Sequence, residues 1–108
     1  MKTKIIITTF RCNDSKKNDI ANELIEKELA SCINLIPNIT SIYNWDNKVS
    51  NTNESIMLIK TIESNIYRIK DFLKLKHPYQ TPEIISIDFD ILNEKYNQWF
   101  ISNIKAAK

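Results

Sequence analysis

The sequence contains no glycine, a single histidine, two cysteines and three prolines. Without glycine, a glycine-rich loop that cradles phosphate cannot form. Left-handed backbone positions must instead go to Asn or Asp, the residues that tolerate them next best. One histidine with no flanking nucleophile motif gives no Ser-His-Asp candidate. Cys12 and Cys32 form no CxxC pair, and no known catalytic constellation appears, so an enzyme is not expected. The N-terminal run "IIITTF" is too short for a signal h-region with a cleavage site, and no run approaches a membrane span. These absences read as a soluble cytoplasmic protein with reduced thiols and no membrane contact. The glycosylation sequons at 38–40 and 53–55 then carry no meaning.

What is present fits one compact unit, residues 1–108. Apolar residues make up 43% of the chain, enough periodic apolar sequence to disfavour disorder. Fifteen basic and thirteen acidic residues give a formal charge of +2. They are interleaved, so charge gives no sign of nucleic-acid binding.

The apolar pattern sets the element order. "KTKIIITTF" (2–10) reads as a buried strand. "NDSKK" supplies helix caps, and Ile20, Ala21, Leu24, Ile25 and Leu29 form an amphipathic stripe over 16–30. "CINLIPNITSIYNW" (32–45) is strand-like, with a bulge or bend required at Pro37 and Asn38 a candidate left-handed residue. "DN" at 46–47 reads as a hairpin turn, with Asn47 where glycine is favoured. The return strand covers 48–62, with a polar patch at 50–55 that interrupts it. A second helix over 64–76 turns Ile66, Ile69, Phe72 and Leu73 to one face and ends at His77-Pro78. A strand over 82–91 follows, then a C-terminal helix capped by Asn93, with Tyr96, Trp99, Phe100 and Ile104 as a stripe.

The expected fold is therefore α+β: a ferredoxin-like βαββαβ sandwich with an extended β-hairpin and a C-terminal helix. The hairpin arms, about a dozen residues each, exceed the usual strand of ~5–6. They carry Ile42, Tyr43 and Trp45 near the tip, and a lone two-stranded ribbon is marginal in water. The arm is thus expected to lie against another subunit.

The segments "ASCINLIPNITSIYNWDNK", "MLIKT", "HPYQTPEII" and "YNQWF" follow one another at spacings that resemble the CutA family of divalent-cation tolerance proteins. The resemblance covers nearly the whole chain. It implies a homotrimer built like the PII signalling proteins, concerned with tolerance of divalent cations such as copper, with no obligatory cofactor. Asn38 and Asn47 stand where the family usually writes glycine, the two places where the backbone reading requires a left-handed residue. Lys76 replaces the first histidine of the His-His-Pro-Tyr found in some members, and Thr8-Thr9 stands where some place a cysteine.

His77 reads first as the stop of the second helix, where a protonated imidazole suits the dipole. It reads second as a cleft residue and third as a metal ligand. Cys32 reads first as a small buried hydrophobe and second as a thiol ligand for a soft ion such as Cu(I). Cys12, just ahead of a helix, is expected to be incidentally exposed. Lys60 and Glu83 are ordinary strand-end charges, or, with Tyr43, Trp45, His77 and Tyr79, the lining of a cleft for a small anion or a metal complex. The alternative to metal tolerance is a PII-like signalling protein that binds a small ligand at subunit interfaces. An acylphosphatase lacks its phosphate loop here, and an RNA-binding sheet lacks its exposed aromatics.

Overall fold

The computed structural model describes residues 1–107. The elements are β1 (Thr3–Arg11), α1 (Lys16–Glu26), β2 (Cys32–Trp45), β3 (Lys48–Ile62), α2 (Ile66–Lys76), β4 (Ile85–Phe89) and α3 (Glu94–Ser102), with a 3-10 turn at Glu63–Asn65 before α2. The four strands form one sheet in the order β2-β3-β1-β4. Every neighbouring pair is antiparallel. This is the expected α+β, ferredoxin-like arrangement.

Strand alternation builds the core on one side of the sheet. Ile6 and Phe10 of β1 and Met57 and Ile59 of β3 face α1 and α2, and pack with Ile20, Leu24, Ile69 and Leu73. The opposite side carries Ile5 and Ile7, with Leu58, Ile56 and Ile36 of the neighbouring strands in register and Ile85 and Ile87 of β4. Ile36, Ile85 and Ile87 are 44%, 49% and 47% exposed. Only one end of this side is closed. There α3 lays the buried Phe100 edge-on against Phe89, with ring centroids 6.1 Å apart, and Ser31 Oγ donates to the Phe100 carbonyl at 2.5 Å. Asn93 caps α3 as expected, its side chain accepting from the Lys95 and Tyr96 amides at 2.9 and 3.2 Å.

Four expectations need correction. The polar patch at 50–55 does not interrupt β3, which runs unbroken from Lys48 to Ile62; Ser55 is fully buried. The fourth strand shrinks to Ile85–Phe89, and the last helix stops at Ser102. Helix α1 ends at Glu26 rather than near Ala30. Its end is a Schellman motif: the Leu29 amide donates to the Leu24 carbonyl at 3.1 Å, and the Glu28 amide to that of Ile25 at 2.9 Å. That geometry needs a left-handed residue, and Glu28 supplies it with φ 58°, at a steric cost glycine would avoid.

Asn38, at φ 59°, and Asn47, at φ 62°, are left-handed as expected, and Asp46 joins them at φ 50°. Two consecutive positive φ values make the Asp46-Asn47 turn type I′, the form that matches strand twist. The register shift between Ile36 and Ile39 is the bulge expected at Pro37-Asn38.

Asn65 ties the C-terminal segment down. It is fully buried. Its Nδ2 donates to the Leu29 and Lys105 carbonyls at 3.1 and 2.8 Å, and its Oδ1 accepts the Ala107 amide at 2.8 Å.

Two substitutions test these points. Asn47→Gly is expected to stabilise the fold by roughly 0.5–1 kcal/mol, because glycine meets positive φ without a Cβ penalty; a fall in the urea midpoint would contradict this. Asn65→Ala is expected to cost about 2–3 kcal/mol, since it strands buried backbone groups; an unchanged midpoint would show that these bonds contribute nothing.

Candidate ligand cleft at the base of the hairpin

β1 ends at Arg11, opposite Glu54 of β3. Beyond that rung β2 and β3 have only each other, from Ile39–Glu54 out to Trp45–Lys48. The base of this arm is where polar side chains converge. Glu54 is only 6% exposed, and its Oε2 accepts the Tyr79 hydroxyl at 2.5 Å. Tyr43 reaches back along the arm to Thr52, hydroxyl to hydroxyl at 2.6 Å. Thr52 and Glu54 are two residues apart on one strand and so share a face. Burial, reinforced by the bond to Glu54, pushes the Tyr79 phenol well above its ordinary range. Tyr79 therefore keeps its proton and donates it to Glu54.

His77 terminates α2 in an extended conformation because Pro78 follows it. It is 8% exposed and stacks on Phe10, with ring centroids 4.2 Å apart. Nδ1 accepts the Tyr79 amide at 3.0 Å, which fixes the proton on Nε2, and Nε2 faces the Thr9 carbonyl at 2.9 Å. That carbonyl lies past Ile7, the last β1 residue paired with β4. The ring thus closes a backbone edge that the short β4 leaves open. Burial pulls the imidazole below its ordinary range, against the Thr9 bond and the nearby Asp14 and Glu54 carboxylates. The expected protonated cap on the helix dipole is corrected here: His77 is neutral, and both ring nitrogens already have protein partners.

The six expected cleft residues do not all meet within one chain. His77 and Tyr79 are neighbours, with ring centroids 4.8 Å apart, and Tyr43 bonds Thr52, two residues before Glu54 on β3. Trp45, exposed at the tip, pairs with Lys48, six residues from Glu54 along β3, or about 20 Å of strand. Lys60 lies six residues the other way, on the rung of Cys32 and Ile5. Glu83 is exposed just ahead of β4. Cys32 is half-buried rather than buried; its register places it beside Lys60, at the opposite end of the sheet from His77. Among the described residues no three His, Cys, Asp or Glu side chains converge on a point that could hold a metal ion.

Sequence reading missed two residues. Glu54 looked like part of a polar interruption; only the register shows it opposite Arg11 and beneath Tyr79. Cys12 is half-buried, not incidentally exposed. It lies behind the bulge, where Sγ accepts the Asn38 amide at 3.4 Å and the Ser55 hydroxyl at 3.6 Å. These bonds, that of Ser55 first, hold the thiol below its ordinary pKa.

Order, register and the outgrown β2–β3 arm define a ferredoxin-like domain with a protruding hairpin. Comparison with known proteins narrows this class. Residues 4–103 match the family model described as CutA1 divalent ion tolerance protein. The chain belongs to that family. It is 41% identical over 87 residues to human protein CutA, covering 81% of this chain and 49% of the human one. To the divalent-cation tolerance protein CutA of Thermus thermophilus it is 37% identical over 84 residues, covering 78% and 82%. The chain spans about half the length of several animal relatives it matches. Its fold superimposes on the crystal structure of CutA1 from Oryza sativa with a TM-score of 0.92 at 29% identity, covering 99% and 97% of the two chains. For the CutA1 structure from Ehrlichia chaffeensis the score is 0.85 at 33% identity, covering 94% and 95%. Among the described residues no helix is long and apolar enough to cross a membrane. Relatives are named chloroplastic in Arabidopsis thaliana and periplasmic in Archaeoglobus fulgidus.

The neutral, doubly bonded His77 sets a pH dependence. Its folded pKa lies below the unfolded value, so the unfolded chain binds the extra proton. Its contribution is complete above about pH 6.5 and is lost as pH falls from there through the lower folded pKa. The wild type should lose urea resistance as pH falls below about 6.5, and His77→Gln should flatten that slope. Equal slopes in the two proteins would contradict the assigned tautomer.

Proposed function

We propose that this chain works as a homotrimeric, non-enzymatic divalent-cation tolerance protein of the CutA type, with residues 1–108 acting as one unit. The family membership supports the tolerance role. The assembly rests on one observation: a sheet side bearing Ile5, Ile7, Ile36, Ile56, Leu58, Ile85 and Ile87 is open in the single chain, continuous with an arm that carries exposed Ile42, Trp45 and Val49. Apolar surface of that extent is a partner surface, and closed symmetry covers it without leaving an edge. A cytoplasmic location with free thiols and no nucleic-acid partner goes with this reading.

Metal handling follows from the donors. His77 can ligate only by giving up the Tyr79 amide or the Thr9 carbonyl. Among the described residues Cys32, on the rung of Lys60, belongs to no group of His, Cys, Asp or Glu that could hold a metal ion. A copper or other divalent site therefore requires ligands from several copies, brought together by the symmetry of the trimer. The second reading is a PII-like protein that binds a small ligand where subunits meet. The Glu54–Tyr79–Tyr43 grouping at the hairpin base, close to where a neighbour's arm would lie, favours it. With no glycine in the chain, a glycine-rich phosphate loop plays no part.

Sedimentation equilibrium at micromolar concentration should give three times the 12.7 kDa chain mass; a stable monomer would overturn the assembly. Calorimetry of the trimer with Cu(II), Cu(I) and Zn(II) should show saturable binding of at least one ion, weakened in Cys32→Ser. No heat from any of the three would reduce the tolerance role to an indirect one.

A further inference from the structure

Glu54 is a nearly buried carboxylate, 6% exposed, with one oxygen bonded and the other free. Oε2 takes the Tyr79 hydroxyl, while Oε1 has no protein partner among the described residues and reaches solvent, since it is not a buried unpaired atom. Arg11 stands directly opposite in the register and is exposed, yet the two form no salt bridge. Glu54 is thus mostly buried but presents one carboxylate oxygen to solvent, where a cationic group can reach it. Here the other groups at hand add aromatic faces and hydroxyls rather than a second charge. Tyr79 sits on one side, held by His77, and Tyr43 comes from the arm through Thr52.

We infer that this cleft takes a small organic ammonium ion, its N–H or N–CH groups on Glu54 Oε1 and its body against Tyr79 and Tyr43. This rests on the small-ligand reading above and specifies its ligand class. The chemistry separates three ligand types. A hard divalent ion needs about six oxygen donors; one carboxylate and neutral hydroxyls do not supply them. An inorganic anion would be repelled by Glu54, with only the solvated Arg11 to attract it. An ammonium ion needs one charge-assisted acceptor and gains from an aromatic neighbour; Glu54 supplies the first and Tyr79 stands beside it. Arg11, opposite Glu54 in the register, competes for the carboxylate and sets the affinity from the protein side. His77 contributes no charge, because its imidazole is neutral.

The test is titration of the assembled protein with n-butylammonium chloride and tetramethylammonium chloride. Sodium acetate, sodium phosphate and zinc chloride at matched ionic strength serve as comparators. Binding is read by calorimetry and by amide chemical shifts. Saturable ammonium binding is expected, with the largest shifts at Thr52, Glu54 and Tyr79. It should weaken about tenfold or more in Glu54→Gln, the loss expected for a charge-assisted bond, and strengthen in Arg11→Gln. Should Glu54→Gln not fold, the wild-type shift map and the Arg11→Gln gain decide the matter. Binding of acetate or phosphate in preference to ammonium would overturn the cation assignment and leave the small-ligand cleft standing. Binding of none of the organic or inorganic ions at this cleft would overturn both.

Discussion

The β2–β3 ladder is the constraint from which the rest of the structure follows. It runs from Cys32–Lys60 to Trp45–Lys48 with a single bulge, while β1 gives it a third strand only as far as Glu54. Inside that limit the ladder is the floor of an ordinary core. Outside it, the arm has backbone hydrogen bonds but no layer to bury its side chains, which is the condition in which two strands are marginal. The molecule is consequently drawn out to 46 Å along one axis and 27 and 22 Å along the others. Its apolar surplus is concentrated on the arm and on the side of the sheet away from the helices.

The point where β1 stops is also where the polar groups gather. A strand end leaves unpaired backbone and a gap beside the continuing ladder, and the segment after α2 fills both. His77 takes the Thr9 carbonyl, and Tyr79 reaches Glu54. Pro78, by forcing His77 out of the helix, sets the direction of that segment. Cys12 does the corresponding work on the far side, giving the bulge amide of Asn38 an acceptor. The cleft is thus a by-product of mismatched strand lengths, and any ligand bound there would report on the mutual position of the arm and the sheet. This gives a physical route from small-molecule or ion binding to a change in assembly, since on the proposed arrangement the arm is also the contact with a neighbouring copy.

Much of this was legible in the residues, for definite reasons. Asn38 and Asn47 stood out because a chain without glycine must use Asn where the backbone turns left-handed, and the proline and the hairpin dipeptide marked where those turns fall. His77-Pro78 gave the helix stop. Glu28 was not legible: a glutamate at the end of an apolar stripe looks like more helix, and Leu29 is buried after the helix has ended. The unbroken course of β3 was hidden because Thr52, Glu54 and Ser55 look polar. Each finds a partner: Thr52 takes Tyr43 across the hairpin, while Glu54 and Ser55 take Tyr79 and Cys12 from distant parts of the chain. Glu54 escaped notice for the same reason. Residues read as cleft-lining were chosen by motif position; strand register then sets Lys60 and Trp45 about 20 Å from Glu54 in opposite directions.

The central claim is that the arm is stable only because neighbouring copies cover it. Residue-resolved amide hydrogen exchange on the native assembly at micromolar concentration tests this most directly. Strong protection should continue past the Ile39–Glu54 rung to the amides of Tyr43 and Ser50, close to the level of Ile6 and Ile59 in the core. Fast exchange beginning at that rung, with the core still protected, would mean that the arm stands free in solution and that its covering by other copies is wrong.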